Sequence, residues 1–235
     1  MSTPRPTRRE QQRVQTLAEI KKLAMAQIAA GGVENLSLNA IAKQMAMSGA
    51  AIYRYFSSRD QLLAALAVDG YTDLADTLEA AAHRRHASPL ARWHAIAAAY
   101  RAWALDQPHR YRLVFSTQVG SGELDPEQII PAAGRSMSVL LDAVGEAAPS
   151  TGNGSTQPSR TLSRQLRDWQ KRTGMPDLPD ATLLAGLNAW TRLHGVISLE
   201  LEGHLPSTGV DPQLLYEAEV SSLVDSRRSL DAPVP

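Results

Sequence analysis

Residues 36–63 read LSLNAIAKQMAMSGAAIYRYFSSRDQLL, and a serine opens each apolar cluster in the stretch. Ser37 precedes Leu38, Ile41 and Ala42; Ser48 precedes Ile52, Tyr55 and Phe56; Ser58 precedes Leu62, Leu63 and Leu66. Each hydroxyl is placed to accept a hydrogen bond from an orphan N–H of the helix that follows. Ser58 with Gln61 also has capping-box spacing. Between Ala42 and Ser48 there is no room for a long loop. The stretch therefore predicts two short helices crossing through a tight turn, then a capped third helix, which is the physical content of helix-turn-helix. The second helix, Gly49 to Phe56, is the one that would enter a major groove.

The long preceding helix ending at Gly31-Gly32, the LSLNAIA segment, the SGAAIYRYF helix and the SRDQLL start resemble the DNA-binding domain of the TetR family of transcription regulators over residues 13–66. One position departs from that pattern. Ala46 stands in the turn where the family usually has Gly, and a Cβ there is unfavourable if φ is positive.

The resemblance implies an all-α chain: an N-terminal three-helix helix-turn-helix DNA-binding domain and a C-terminal helical ligand-binding and dimerisation domain. It implies DNA contacts at Ser37, Asn39, Ser48, Gly49, Ala50, Ala51, Tyr53, Arg54, Tyr55 and Arg59. The two serines cap helices and touch phosphate. Tyr53, Tyr55 and Arg59 meet phosphate or sugar. Gly49, Ala50 and Ala51 face the groove without donors, so Asn39 or Arg54 carries the base readout. Core packing is the competing role for Tyr55. Ile41, Ile52 and Phe56 belong to the core.

Formal net charge is +0, which by itself argues against nucleic acid, but its distribution does not. Residues 1–60 carry nine Lys/Arg against four Asp/Glu, so the rest of the chain is acidic by the same margin. A basic head on an acidic body suits a DNA binder with a separate second domain. Cysteine is absent, so no thiol chemistry or Cys-based zinc site is expected. The polar, basic N-terminus lacks the apolar core of a secretory signal, and no apolar run reaches membrane-spanning length. A cytoplasmic protein without membrane contact is expected.

The chain divides into a disordered basic arm (1–9), the head (10–58), a helical body (59–228) with a low-complexity linker at 147–159, and a tail (229–235). Arginines 5, 8 and 9 are placed either to track a minor groove or to lie in solvent. Leu17, Ile20, Ala24 and Ile28 form the apolar stripe of a helix over 10–30. Further helices are expected over 59–83, 89–105, 109–115, 127–146, 160–172, 181–202 (capped by Asp180) and 211–224, with no strand.

The helix over 181–202 carries Leu183, Leu187, Trp190, His194, Ile197 and Leu201 at 4-3-4-3-4 spacing. Leu183, Leu187, Trp190, Ile197 and Leu201 are candidates for the seam of a homodimer, or else the interior face of one subunit. Trp190, His194, Gly195, Leu199 and Glu200 also resemble a subgroup of TetR-like C-terminal domains with a Trp-His-Gly signature. Gly195 inside a helix is unfavourable by about 1 kcal/mol against Ala, which makes sense if another helix approaches there. Tyr100, Trp103, Tyr111, Phe115, Met137 and His194 are candidate linings of a pocket for a small apolar or aromatic effector, with ordinary core as the alternative.

The resemblance further implies repression relieved by that effector through a population shift. The six histidines show no H-E-x-x-H spacing, and there is no G-x-S-x-G, GxGxxG or P-loop, so no enzyme, metal or cofactor is expected. A helical module using its head for a protein partner is the remaining alternative.

Overall fold

The computed structural model describes residues 7–115, 126–147 and 158–225. Among them the chain forms ten α-helices and no strand, as expected of an all-α protein. They fall into two compact units, Met1–Gly70 with His109–Asp125, and Tyr71–Pro108 with Pro126–Pro235.

The first unit begins with α1 (Arg8–Gly31). Its start lies inside the expected arm. Thr7 and Glu10 form a full capping box, with the Thr7 N–H donating to Glu10 Oε2 at 2.7 Å and the Glu10 N–H to Thr7 Oγ1 at 3.3 Å. Arg8 and Arg9 are therefore helical, and residues 1–6 of the arm lie outside the described residues, as do 148–157 of the linker and the tail. Ile20, Ala24 and Ile28 are buried, with Leu17 half-buried against them, as the stripe predicts. α2 (Leu38–Gln44), α3 (Gly49–Ile52) and the first turns of α4 (Arg59–His83) complete the cluster through Ile41, Ile52, Phe56 and Leu62. Leu113 of α6 (Pro108–Phe115) joins the same core. The boundary consequently lies at Gly70, within α4 and beyond the 58/59 division read from sequence, because Leu63, Leu66 and Ala67 still belong to the head's core.

The second unit is built around α5 (Pro89–Asp106), capped by Ser88 with proline in its first turn. Trp93, Ile96, Tyr100 and Trp103 are all buried on it. α10 (Pro212–Asp225) is tied to α5 by two hydrogen bonds: Trp93 Nε1 donates to the Val220 carbonyl at 2.9 Å, and the Tyr216 hydroxyl to the Ala97 carbonyl at 2.8 Å. Burying these rings satisfies their polar ends while removing apolar area from water, a gain of about 1.5–3 kcal/mol for a fully buried large apolar side chain.

α7 (Pro126–Ala147) packs on α9 (Asp180–Leu201). The contact is close because Gly186 has no side chain. A Cβ there would run into Leu141 Cδ2 and lie 2.8 Å from its Cγ. α8 (Arg160–Thr173) buries only Leu166 and Gln170 and ends at Gly174 in the left-handed conformation. Pro158 and Ser159, read as linker, are ordered, and Ser159 caps α8.

Asp180 does not cap α9. Pro179 holds the cap position and Asp180 is the first helical residue. Its carboxylate instead takes both prongs of Arg167, at 2.9 and 2.7 Å, which ties α8 to the start of α9. This pair lowers the Asp180 pKa from 3.8 to about 2. A carboxylate whose folded pKa is depressed contributes stability above its unfolded pKa and loses it as pH falls through the folded one. The stability difference between the wild type and Arg167→Ala should therefore be constant above pH about 4 and shrink as pH falls from there towards 2. Urea unfolding across that range checks this; a difference independent of pH would overturn it.

Candidate nucleic-acid interface

The head's outer face is built from α2, the turn and α3. Ser37 starts α2 as read from sequence. The Ala40 N–H donates to its hydroxyl at 3.3 Å, and its own N–H donates to Gln27 Oε1 of α1 at 2.9 Å. Leu38, Ile41 and Ala42 point inward, which leaves Asn39 and Lys43 exposed.

The turn closes α2 with two bonds. The Met47 N–H donates to the Ala42 carbonyl at 2.9 Å, and the Ala46 N–H to the Lys43 carbonyl at 3.2 Å. This is the Schellman pattern, which places its C′ residue in the left-handed region. That residue is Ala46, with φ 52°, the one non-glycine residue with positive φ among the described residues. The turn is thus not recast around alanine; the backbone conformation is kept and alanine adopts it.

α3 is shorter than the expected Gly49–Phe56. Regular helix covers Gly49–Ile52, and Tyr53 to Tyr55 continue as tighter turns, with the Tyr55 N–H donating to the Ile52 carbonyl at 2.9 Å. Ser48 occupies the cap position, but its hydroxyl takes no part. Its backbone carbonyl alone accepts from Ala51 at 2.9 Å and Ile52 at 3.4 Å. Ile52 and Phe56 are buried, so Gly49, Ala50, Tyr53 and Arg54 are exposed and Ala51 half-exposed. Tyr53 is 48% exposed. Asn39 adjoins the start of α3, its Oδ1 lying 3.9 Å from where a Gly49 Cβ would be.

Two expected contacts are partly committed elsewhere. Tyr55 is half-buried on the core, with the Arg13 guanidinium 5.4 Å over its ring. Arg59 Nη2 donates to the Val33 carbonyl at 2.6 Å, and Nη1 sits 3.5 Å from Asp60, so it braces α4 against the segment before α2. Sequence reading missed Arg13 as a contact and placed Arg9 on a disordered arm beside a minor groove or in solvent. The two stand four apart on α1 and line a crevice with Arg54 and Tyr55. The Thr7–Glu10 capping box was the signal that placed them on a helix.

The effector-pocket candidates divide between the units. Tyr111 and Phe115 lie in the first, their rings 4.9 Å apart. Tyr100, Trp103, Met137 and His194 lie in the second. There the Tyr100 hydroxyl is 3.5 Å from His194 Nδ1, and the His194 ring stacks on Trp190 at 5.5 Å. Burial pushes the His194 pKa down. Trp103 Nε1 donates to Asp73 at 2.8 Å, and Met137 packs on the Leu141–Leu166–Leu183 cluster.

The seam candidates also divide. Leu183 and Ile197 are fully buried within the chain and cannot meet a partner, because α9 turns Leu183, Gly186, Leu193 and Ile197 inward. Leu187, Trp190 and Leu201 are half-exposed. Among the described residues no other element comes within 4 Å of where a Gly195 Cβ would be, so none of them supplies the close helix expected there. Among the described residues no acidic or histidine cluster is placed to hold a metal, and no helix is long and apolar enough to cross a membrane.

Two short helices across a tight turn, with a polar outer face and a separate helical unit, define a helix-turn-helix DNA-binding regulator. Comparison with known proteins agrees. Residues 20–66 match the family described as bacterial regulatory proteins, tetR family, and residues 93–223 match the tetracyclin repressor-like C-terminal domain. The chain is 32% identical over 232 residues to the HTH-type transcriptional regulator Rv1816 of Mycobacterium tuberculosis, covering 94% of this chain and 96% of the relative. The crystal structure of a regulatory protein, SCO4313, is 41% identical with a TM-score of 0.75, covering 94% of this chain and 99% of that one. A structure from Rhodococcus sp. RHA1, 24% identical over 92% of this chain and 95% of its own, supports the fold with a TM-score of 0.67. The chain belongs to the TetR family: it is a DNA-binding transcriptional regulator and not an enzyme.

The Ala46 geometry yields a stability prediction. Replacing a left-handed alanine by glycine relieves steric strain of about 1–2 kcal/mol, offset by glycine's extra unfolded entropy. Ala46→Gly should stabilise the protein by about 0.5–1 kcal/mol and raise Tm by roughly 1–4 °C. A lower Tm in differential scanning calorimetry would contradict it.

Proposed function

We propose that the protein is a homodimeric repressor that binds a palindromic operator and is released by a small apolar or aromatic effector. The observation that carries the DNA part is the exposed set Asn39, Ser48, Tyr53 and Arg54, arrayed on α2 and α3 around a buried Ile52–Phe56 anchor. Asn39 reads a base edge; Ser48 and Tyr53 hold phosphate or sugar; Gly49, Ala50 and Ala51 permit close approach. Arg59 contributes to phosphate through the donors left after its bond to Val33. Two such heads on a two-fold axis give a single short helix enough affinity and a palindromic target.

The effector reading rests on the second unit, where Tyr100 and Trp103 are buried aromatics and the His194 ring, stacked on Trp190 and 3.5 Å from the Tyr100 hydroxyl, supplies a polar handle. Neutral His194, kept so by burial, suits an apolar or aromatic ligand.

The dimer reading rests on surfaces the protomer leaves open. Leu199 on α9 and Leu214 on α10 are 44% and 64% exposed. Gly195 lies one turn before Leu199 on the same helix, with no other described element within 4 Å of where its Cβ would be, and Trp190 of the Trp-His-Gly signature is half-exposed. Arg192 of α9 pairs with Glu219 of α10 and donates to Ser222, which fixes the two helices as one platform.

Two experiments test this. Mobility-shift titration on the DNA flanking the protein's own gene, or on duplexes selected from random DNA, should show saturable, salt-sensitive binding. Asn39→Ala should lose about 1–3 kcal/mol and relax discrimination at one base, while Tyr53→Ala should weaken all sequences alike. Folded protein that selects no duplex would overturn the reading. For the seam, Gly195→Ala should strengthen the isolated helix by up to about 1 kcal/mol yet weaken dimerisation in sedimentation equilibrium. Unchanged dimerisation would put the seam elsewhere.

A further inference from the structure

We infer that the crevice between the start of α1 and α3 is a second phosphodiester-binding site, in which Arg9, Arg13 and Arg54 together clamp the backbone of the bound duplex. The inference rests on the operator-binding reading and extends the interface to a helix that reading leaves out.

The crevice has a volume of about 470 Å³, and its lining includes Arg9, Arg13, Met47, Ala51, Arg54 and Tyr55. Arg9 and Arg13 are one helical step of four apart, so they project from the same face of α1. Arg54 enters from the turn after α3. All three side chains are exposed, and among the described residues none is taken by a carboxylate. Arg13 stacks on Tyr55, which fixes its guanidinium without consuming its donors.

The one carboxylate in the crevice is Glu10, and it is committed. Its Oε2 accepts from the Thr7 N–H at 2.7 Å and the Thr7 hydroxyl at 2.8 Å. The capping box thus does two things: it fixes the first turn that carries Arg9, and it occupies the Glu10 carboxylate with hydrogen bonds from Thr7. Three guanidinium groups with unspent donors around one opening form a site for an anion with several acceptor oxygens. The opening is shared with Ala51, on the helix proposed to enter the groove, so the anion it meets is a backbone phosphate flanking that groove. Arg54 then belongs to backbone positioning, and base readout falls to Asn39.

The test uses the full chain and a duplex selected from random DNA, with affinity measured against salt concentration. Neutralising one phosphate contact lowers the log–log slope by about 0.9 per head, hence by nearly 2 for two heads. Arg9→Gln and Arg13→Gln should each show that change and weaken binding by about tenfold, equally for operator and unrelated duplex. Arg13→Lys should keep the wild-type slope. Wild-type slopes in both glutamine variants would overturn the proposal. So would weaker binding at unchanged slope in Arg13→Gln, which marks a purely packing role on Tyr55. Inorganic phosphate should displace the duplex no better than chloride at equal ionic strength; preferential displacement would mark a free-anion site instead. A wild type that binds no duplex would sink the operator-binding reading itself, an outcome distinct from binding with unaltered slopes.

Discussion

α3 has four regular residues, too few to hold a helix by hydrogen bonding, since one turn barely repays nucleation. It exists because Ile52 and Phe56 are buried in the head's core and because the Schellman turn at Ala46 aims the chain into it. The position of every exposed side chain on that face follows from these two constraints. α1 and the first turns of α4 supply the apolar surface against which Ile52 and Phe56 are held. A one-turn helix of alanine and glycine becomes a rigid element only through this anchoring, and a rigid element is what precise placement of a few donors needs.

The chain carries no net charge, yet the head can present a basic face because its charges are used unequally. Lys21 is paired with Asp69 at 2.8 Å, Arg59 with the Val33 carbonyl, and Glu10 with Thr7. These contacts hold α1, α4 and the intervening segment together. Arg9, Arg13, Arg54, Asn39 and the Ser48 hydroxyl are left over, and they lie on the α1–α3 side. Short-range structural pairing thus sorts the polar groups into those that brace the head and those free to meet a polyanion. Composition averages over that difference; the side-chain geometry displays it.

Local signals were legible in the sequence and tertiary partners were not. Ser37 caps α2 where serine precedes an apolar period and Gly32 ends α1, whereas Ser159, which caps α8, reads as linker. Thr7 follows the same rule but was hidden by flanking prolines and arginines that read as an arm. Ser48 stands at the cap position without using its hydroxyl, because α3 is barely one turn long, and Asp180 falls one residue inside α9, where Arg167 takes its carboxylate. The phase of α9 was the largest miss. Its 4-3-4-3 apolar series mixes two faces, and only the packing of α7 reveals which side is interior. Gly186 is where Leu141 approaches, while Gly195, unfavourable for the same helix-propensity reason, meets no other element among the described residues. One sequence symbol carries two meanings that only neighbours separate.

The lean chemistry of α3 limits how its target is read. Gly49, Ala50 and Ala51 present no donors, and Arg54 stands with the arginines of α1. On the proposed reading Asn39 is the main base-reading group, so direct hydrogen bonding distinguishes few positions, since one good bidentate contact discriminates by about 1–3 kcal/mol. The rest of the selectivity has to come from methyl contacts with the alanines and from how easily the duplex adopts the shape that lets both the α3 face and the α1 crevice engage at once. On the same reading, backbone contacts that carry no sequence information alone acquire it when they are satisfied together only on a duplex whose groove width and curvature suit the rigid head. Rigidity of the head, set by its buried anchor, is on this proposal what converts phosphate binding into selectivity.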